Sequence, residues 1–226
     1  MISRLSLACL LLAAAGAASA RPAAMRTAAH VRPVALAGTY RLHEHDAASE
    51  LALLPNGHFR FFFAAGALDL AAEGRWTSDG RSVTLNTEPR PVPPAFSAGP
   101  VSRGEGPLHI KVTGPNGRGL ALIDLRVGFA DGHVVDGYTQ DYGWQLAEAE
   151  DVGAARWVEL TIAMYGLPPQ RFPIDPTAGH DLSFILTPNG LGVEDFHDAI
   201  LPITREGLVL TLMGGSGTYV REGRGH

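Results

Sequence analysis

The stretch LDLAAEGRW, residues 68–76, constrains the fold more than any other part of the chain. Leu68, Leu70, Ala72, Gly74 and Trp76 fall on one side of an extended backbone, and Asp69, Ala71, Glu73 and Arg75 on the other. Side chains alternate faces along a strand, so this period of two predicts a half-buried antiparallel strand and rules out an amphipathic helix. The pattern recurs on both sides of it. Tyr40 and Leu42 share a face in LAGTYRL, ELALL follows, Phe59, Phe61 and Phe63 share a face in HFRFFF, and Val83 and Leu85 do so in SVTLN. PNGH and SDG supply the turns between them, since Asn, Asp and Gly tolerate positive φ. Residues 36–87 therefore read as a five-stranded antiparallel meander.

Composition then changes. EPRPVPPAFSAGPVSRGEGP carries six of the chain's prolines and three glycines. Proline cannot donate to a sheet ladder, so residues 88–107 read as a linker or surface strap at a domain boundary. Strand signals resume beyond it. Ile123, Leu125, Val127 and Phe129 align in one run, and Val158, Leu160, Ile162 and Met164 in another. HVVDGY, LSFILT, GLVLTL and GTYVR add further short strands, and turn residues separate them every ten or so positions. Residues 108–222 thus read as a β-sandwich-like domain, and the chain as all-β. LxPNG occurs twice, at residues 53–57 and 186–190, and GTY twice, at 38–40 and 217–219. Three readings fit these echoes: ordinary reuse of turn chemistry, a duplicated meander, or a final strand lying beside the first and making the halves one unit.

Residues 1–20, MISRLSLACLLLAAAGAASA, read as a secretory signal peptide: a basic Arg4, an apolar run and an Ala18-Ser19-Ala20 cleavage pattern. Residues 21–35 read as a flexible lead-in. Periplasmic or secreted localisation is the expectation. The only cysteine, Cys9, lies in the signal, so after cleavage a hydrophobic core without disulfides has to carry stability. The mature charge is then 17 − 23 = −6, with no basic run. That argues against a nucleic-acid partner. No stretch after the signal is apolar for long enough to span a bilayer as a helix.

GTYRL…LLPNGHFRFFFAAGALDLAAEGRW resembles a group of uncharacterised secreted bacterial proteins that combine a GTY first strand, an L-x-P-[ND]-G-x-F hairpin, GALD and EGRW. The arrangement is also similar to lipocalin-like meanders, in which Gly-x-aromatic opens the first strand. Tyr40 stands where a lipocalin carries tryptophan, and five strands are visible instead of eight, so this half alone is not expected to close into a calyx. LRVGFADGHVVDGYTQDYGW resembles the prealbumin-like or carboxypeptidase-regulatory-like β-sandwich, through Asp131, Gly132, Gly137, Thr139 and Gly143. That resemblance implies a non-catalytic accessory or adhesion-type module.

The aromatic cluster of the same stretch is the candidate ligand-binding site: Tyr138, Asp141, Tyr142 and Trp144. Aromatics near a turn present apolar area to a partner. The ordinary alternative is that Trp144 plugs the sandwich end while the tyrosines pack over its edge. No catalytic residue, metal site or cofactor is expected. Ser97 and Ser216 lack the G-x-S-x-G elbow, and His43 with His45 has no evident third ligand. EDFHD lacks calcium-loop spacing. The expectation is an exported non-enzymatic binding or interaction protein of the bacterial envelope, its partner an envelope protein or a small apolar ligand. The alternatives are a periplasmic hydrolase, signalled by a deep polar cleft gathering His133, Asp141 or Asp195 with His197, or a structural envelope subunit.

Overall fold

The computed structural model describes residues 33–104, 106–148 and 150–223; residues 1–20, read from the sequence as a signal peptide, and residues 21–32 of the expected lead-in lie outside them. Among the described residues the chain is all-β apart from one helical turn, α1 (Pro33–Leu36), and two short 3-10 turns. The first five strands are β1 (Gly38–His43), β2 (Ala48–Leu53), β3 (His58–Ala65), β4 (Leu68–Ser78) and β5 (Ser82–Thr87). They form the consecutive antiparallel meander that the alternation predicts. Tyr40, Leu51, Leu53, Phe59, Phe61, Leu70, Ala72, Trp76, Val83 and Leu85 are all buried on its inner face.

The meander is only part of a larger sheet. The last three strands, β14 (Ala199–Pro202), β15 (Leu208–Leu212) and β16 (Gly215–Arg221), belong to the same sheet and not to the second unit. β14 extends it beyond β5, β16 pairs with β1, and β15 lies outside β16. The two outer strands are themselves a hairpin, joined by an Ile203–Leu208 bridge, so the eight strands curl into a nearly closed up-and-down barrel. The strands that carry the two GTY copies pair antiparallel, with Tyr40 opposite Arg221 and Leu42 opposite Tyr219. A Cβ at Gly217 would stand 2.6 Å from Leu42 Cδ1, so glycine there lets the Leu42 side chain fold inward. The driving force is the burial of two apolar strand faces and the removal of free edges, which closure alone abolishes. The barrel-like sheet fits the lipocalin-like expectation, reached with strands from both ends of the chain.

The outer face carries Arg41, Glu50, Arg60, Asp69, Glu73 and Arg75, and the core lies inside. That polarity is the reverse of a barrel that faces lipid. No helix among the described residues is long and apolar enough to cross a membrane.

Between β5 and β14 the chain builds the sandwich. Its strands are β6 (Ala95–Ser102), β7 (His109–Thr113), β8 (Asp124–Phe129), β9 (Val134–Tyr138), β10 (Trp144–Gln145), β11 (Ala155–Thr161), β12 (Gln170–Pro173) and β13 (Asp181–Thr187). One sheet runs β10-β7-β13-β6 and the other β12-β11-β8-β9, around one core that includes Ile110, Val112, Leu125, Val127, Val158, Leu160 and Phe184. The proline-rich strap is therefore partly strand: β6 is an edge strand on β13, with a register shift between Leu182 and Phe184. Proline is tolerated there because an edge strand leaves one row of N–H groups without a partner. The sandwich is an insertion in the barrel. Its outgoing and returning arms touch, with Gly190 N donating to Val92 O at 2.9 Å and Thr87 N to Phe196 O at 2.8 Å.

Candidate functional site

The two ends of the barrel differ. At one end, α1 packs Leu36 against the barrel core and the Tyr40 hydroxyl donates to Leu36 O at 2.7 Å. The Arg221 guanidinium donates to the carbonyls of Ala35 and Ala37. The end of the lead-in is thus tied down as a seal. Trp76 Nε1 donates to Leu54 O at 2.9 Å on the neighbouring turn.

The opposite end is open. The strands alternate in direction, so the β1–β2, β3–β4 and β15–β16 turns all meet there. They surround a hollow of about 460 Å³. Its walls are mainly apolar, from Leu42, Phe63, Leu68, Leu210 and Leu212, with Met213 among the lining residues. Glu44, His45 and Asp46, consecutive and exposed, form part of the rim, together with Ser216. The Ser216 hydroxyl lies 2.8 Å from that of Thr211. Tyr219 also lines the hollow, and its hydroxyl lies 2.7 Å from the Ser49 hydroxyl. Burial holds the Tyr219 phenol above its ordinary pKa.

Met213 occupies the first centre of the β15–β16 turn at φ 49°, followed by Gly214 at φ 81°. Turns of this kind favour Asn-Gly, and a left-handed methionine is strained there. Met213 is also 54 % exposed, so packing does not explain it. A flexible thioether side chain at the lip of an apolar hollow suits contact with ligands of varied shape.

The sequence-predicted cluster divides. Trp144 packs against the sandwich core, with its Nε1 only 2.3 Å from where a Cβ on Gly137 would stand. Tyr138 is 55 % exposed and borders a separate hollow of about 280 Å³ with Leu122, Asp124, Ala163 and Met164. Tyr142 is 71 % exposed on a tight Gln140–Gly143 turn, and its carbonyl lies 3.0 Å from His109 Nε2. Asp141 is exposed on the same turn. Thr139, fully buried, orders the loop instead: its hydroxyl donates to Leu120 O at 2.7 Å and accepts from Ile123 N at 3.2 Å.

The polar residues marked as a potential cleft do not gather. His133 lies between Asp131 and Glu150, at 2.6 and 3.0 Å, and stacks on Phe129. Asp195 is held by Arg90 at 2.7 Å on the returning arm, and His197 is exposed two residues further on. Among the described residues no group of three or more His, Cys, Asp or Glu side chains is arranged to hold a metal ion.

The fold and the site thus define an all-β chain with a sandwich inserted in a barrel that is sealed at one end and open at the other. The chain matches no family model, no curated protein and no solved structure.

Proposed function

We propose that this chain is an exported, non-enzymatic binding protein of the bacterial envelope that holds a small apolar ligand in the mouth of its barrel. One observation carries the reading: an open, apolar hollow of about 460 Å³ on a barrel whose other end is sealed by its own N-terminal turn. Concave, mostly apolar sites with a few polar groups at the rim are where small molecules bind. The inserted sandwich, with exposed Tyr138 and Tyr142, offers a surface for an envelope partner.

Calorimetric titration of the mature protein with n-alkanols of increasing length tests the reading. Each methylene transferred from water contributes about 0.8 kcal/mol, so affinity rises roughly fourfold per carbon until the hollow is full. Ala47→Trp places an indole among the lining residues and abolishes binding. Affinity independent of chain length, or undiminished in Ala47→Trp, contradicts the proposal.

A further inference from the structure

The polar groups around the mouth select a head group. Among the described residues the lining contains two carboxylates, Glu44 and Asp46, one imidazole, His45, and no arginine or lysine. Deeper in, the hydrogen-bond count is fixed by the buried pair Ser49 and Tyr219, 4 % and 2 % exposed. A serine hydroxyl has one proton, and that of Ser49 goes to the carbonyl of Phe62 at 2.6 Å. The 2.7 Å contact between the two hydroxyls is therefore donated by Tyr219. That leaves the phenolic oxygen with lone pairs and no proton to offer. Ser49 lies directly opposite both Leu42 and Phe63 in the ladders, one step from the β1–β2 turn, so the pair stands at the depth of the apolar lining. A ligand head reaching this level meets an acceptor, and a head remaining at the rim meets two carboxylates.

Resting on the reading of the mouth as a ligand site, we propose that its ligand is a cationic amphipath: an alkyl or similarly apolar body within the barrel and an amine head that donates hydrogen bonds. A fatty carboxylate of the same length fits the walls equally well but sets a third negative charge beside Glu44 and Asp46. An alcohol keeps the apolar contacts without the charge.

Octylamine, octanol and octanoate, matched in chain and differing in head, are titrated into the mature protein by calorimetry at neutral pH and low salt. Octylamine binds about two- to fivefold more tightly than octanol, a range set by solvent-exposed ion pairs, and octanoate binds most weakly. The preference shrinks in high salt, which screens exposed charges. It is lost in the Glu44→Gln/Asp46→Asn double variant, whose octylamine affinity falls to that of octanol. Glu222→Gln, which removes an exposed carboxylate paired with Arg41 instead, keeps the preference. Far-UV circular dichroism, dominated by the strands, reports that each variant is folded. Octanol binding as tightly as octylamine, or octanoate binding more tightly, overturns the head-group assignment. If Ala47→Trp still abolishes binding in that case, the apolar site itself stands. Absence of binding by all three compounds overturns the ligand-site reading, and this inference with it.

Discussion

Phe196→Ala is the substitution that best separates the barrel from the sandwich. Phe196 lies on the arm that returns from the insertion, yet it is 4 % exposed inside the barrel. Its ring meets Phe59 and Phe61 edge-on, with centroids 5.9 and 5.1 Å away. Its backbone is paired with Thr87 through Thr87 N to Phe196 O at 2.8 Å and Phe196 N to Thr87 Oγ1 at 3.0 Å. Truncating a buried phenylalanine costs about 3–5 kcal/mol in lost transfer energy and residual cavity. Two edge-to-face contacts disappear with it, and the backbone pairing to Thr87 prevents the arm from collapsing into the space. The expected loss is about 4 kcal/mol, toward the middle of that range. Native-state hydrogen exchange followed by mass spectrometry reads this strand by strand. Amides of β3 and β5 lose about 4 kcal/mol of protection, while those of β8 and β11, which belong to the sandwich core, stay unchanged. A loss below about 1 kcal/mol in β3 and β5, or an equal loss in β8 and β11, refutes the placement of this side chain in a separate barrel core.

Thr139→Val keeps the shape but leaves Leu120 O without its hydroxyl donor and Ile123 N without its acceptor, so chemical denaturation registers a sandwich destabilised by about 1–3 kcal/mol. His133 titrates above the ordinary imidazole value of about 6.5, chiefly through its hydrogen bond to Asp131 and next through Glu150, as an NMR pH titration of the ring reads directly. Its folded pKa is raised, so the stability it contributes is complete below about pH 6.5 and is lost as pH rises through the folded value; Asp131→Asn lowers that value and flattens the dependence. Met213→Asn relieves a left-handed backbone at an Asn-Gly-type turn and raises the thermal midpoint, with a gain of about 0.5–1 kcal/mol, while weakening alkanol binding at the mouth.

The meander was legible because its signal is local. Leu68, Leu70, Ala72, Gly74 and Trp76 announce their shared face by spacing alone, and each lies on the inner side of β4. Closure of the barrel was not local: β1 and β16 are joined across nearly the whole chain. The second GTY held the clue, and of the three readings open for it the closing strand is the one observed. The strands most readily overlooked are β6, β10, β12 and β14, all at sheet edges, short or broken by proline. Partial exposure on both faces erases the alternation there. Phe196 gave no warning either, since EDFHDAI has the look of an acidic turn and burial of one aromatic within it depends on the barrel beside it. The candidate site followed the same division. Tyr138, Asp141, Tyr142 and Trp144 were conspicuous by composition, yet Trp144 packs into the sandwich. The mouth is assembled from five separate strands and two turns, with Leu42, Phe63, Leu212 and Tyr219 each looking like ordinary core in its own segment.

The central claim is that one ring of strands is built from the two ends of the chain, with the sandwich as an insertion that the ring does not need. Because Gly190 N donates to Val92 O at 2.9 Å, the sandwich can be excised between these residues and a short Gly-Ser linker put in its place, leaving both arms and Phe196 intact. Trp144 and Trp157 leave with the excised segment, so Trp76, hydrogen-bonded to Leu54 O and 3 % exposed, becomes the sole tryptophan. Its emission spectrum is the deciding measurement. The account predicts the blue emission of a buried indole, shifting red in one cooperative unfolding transition; red emission from a solvated indole in the absence of denaturant contradicts it.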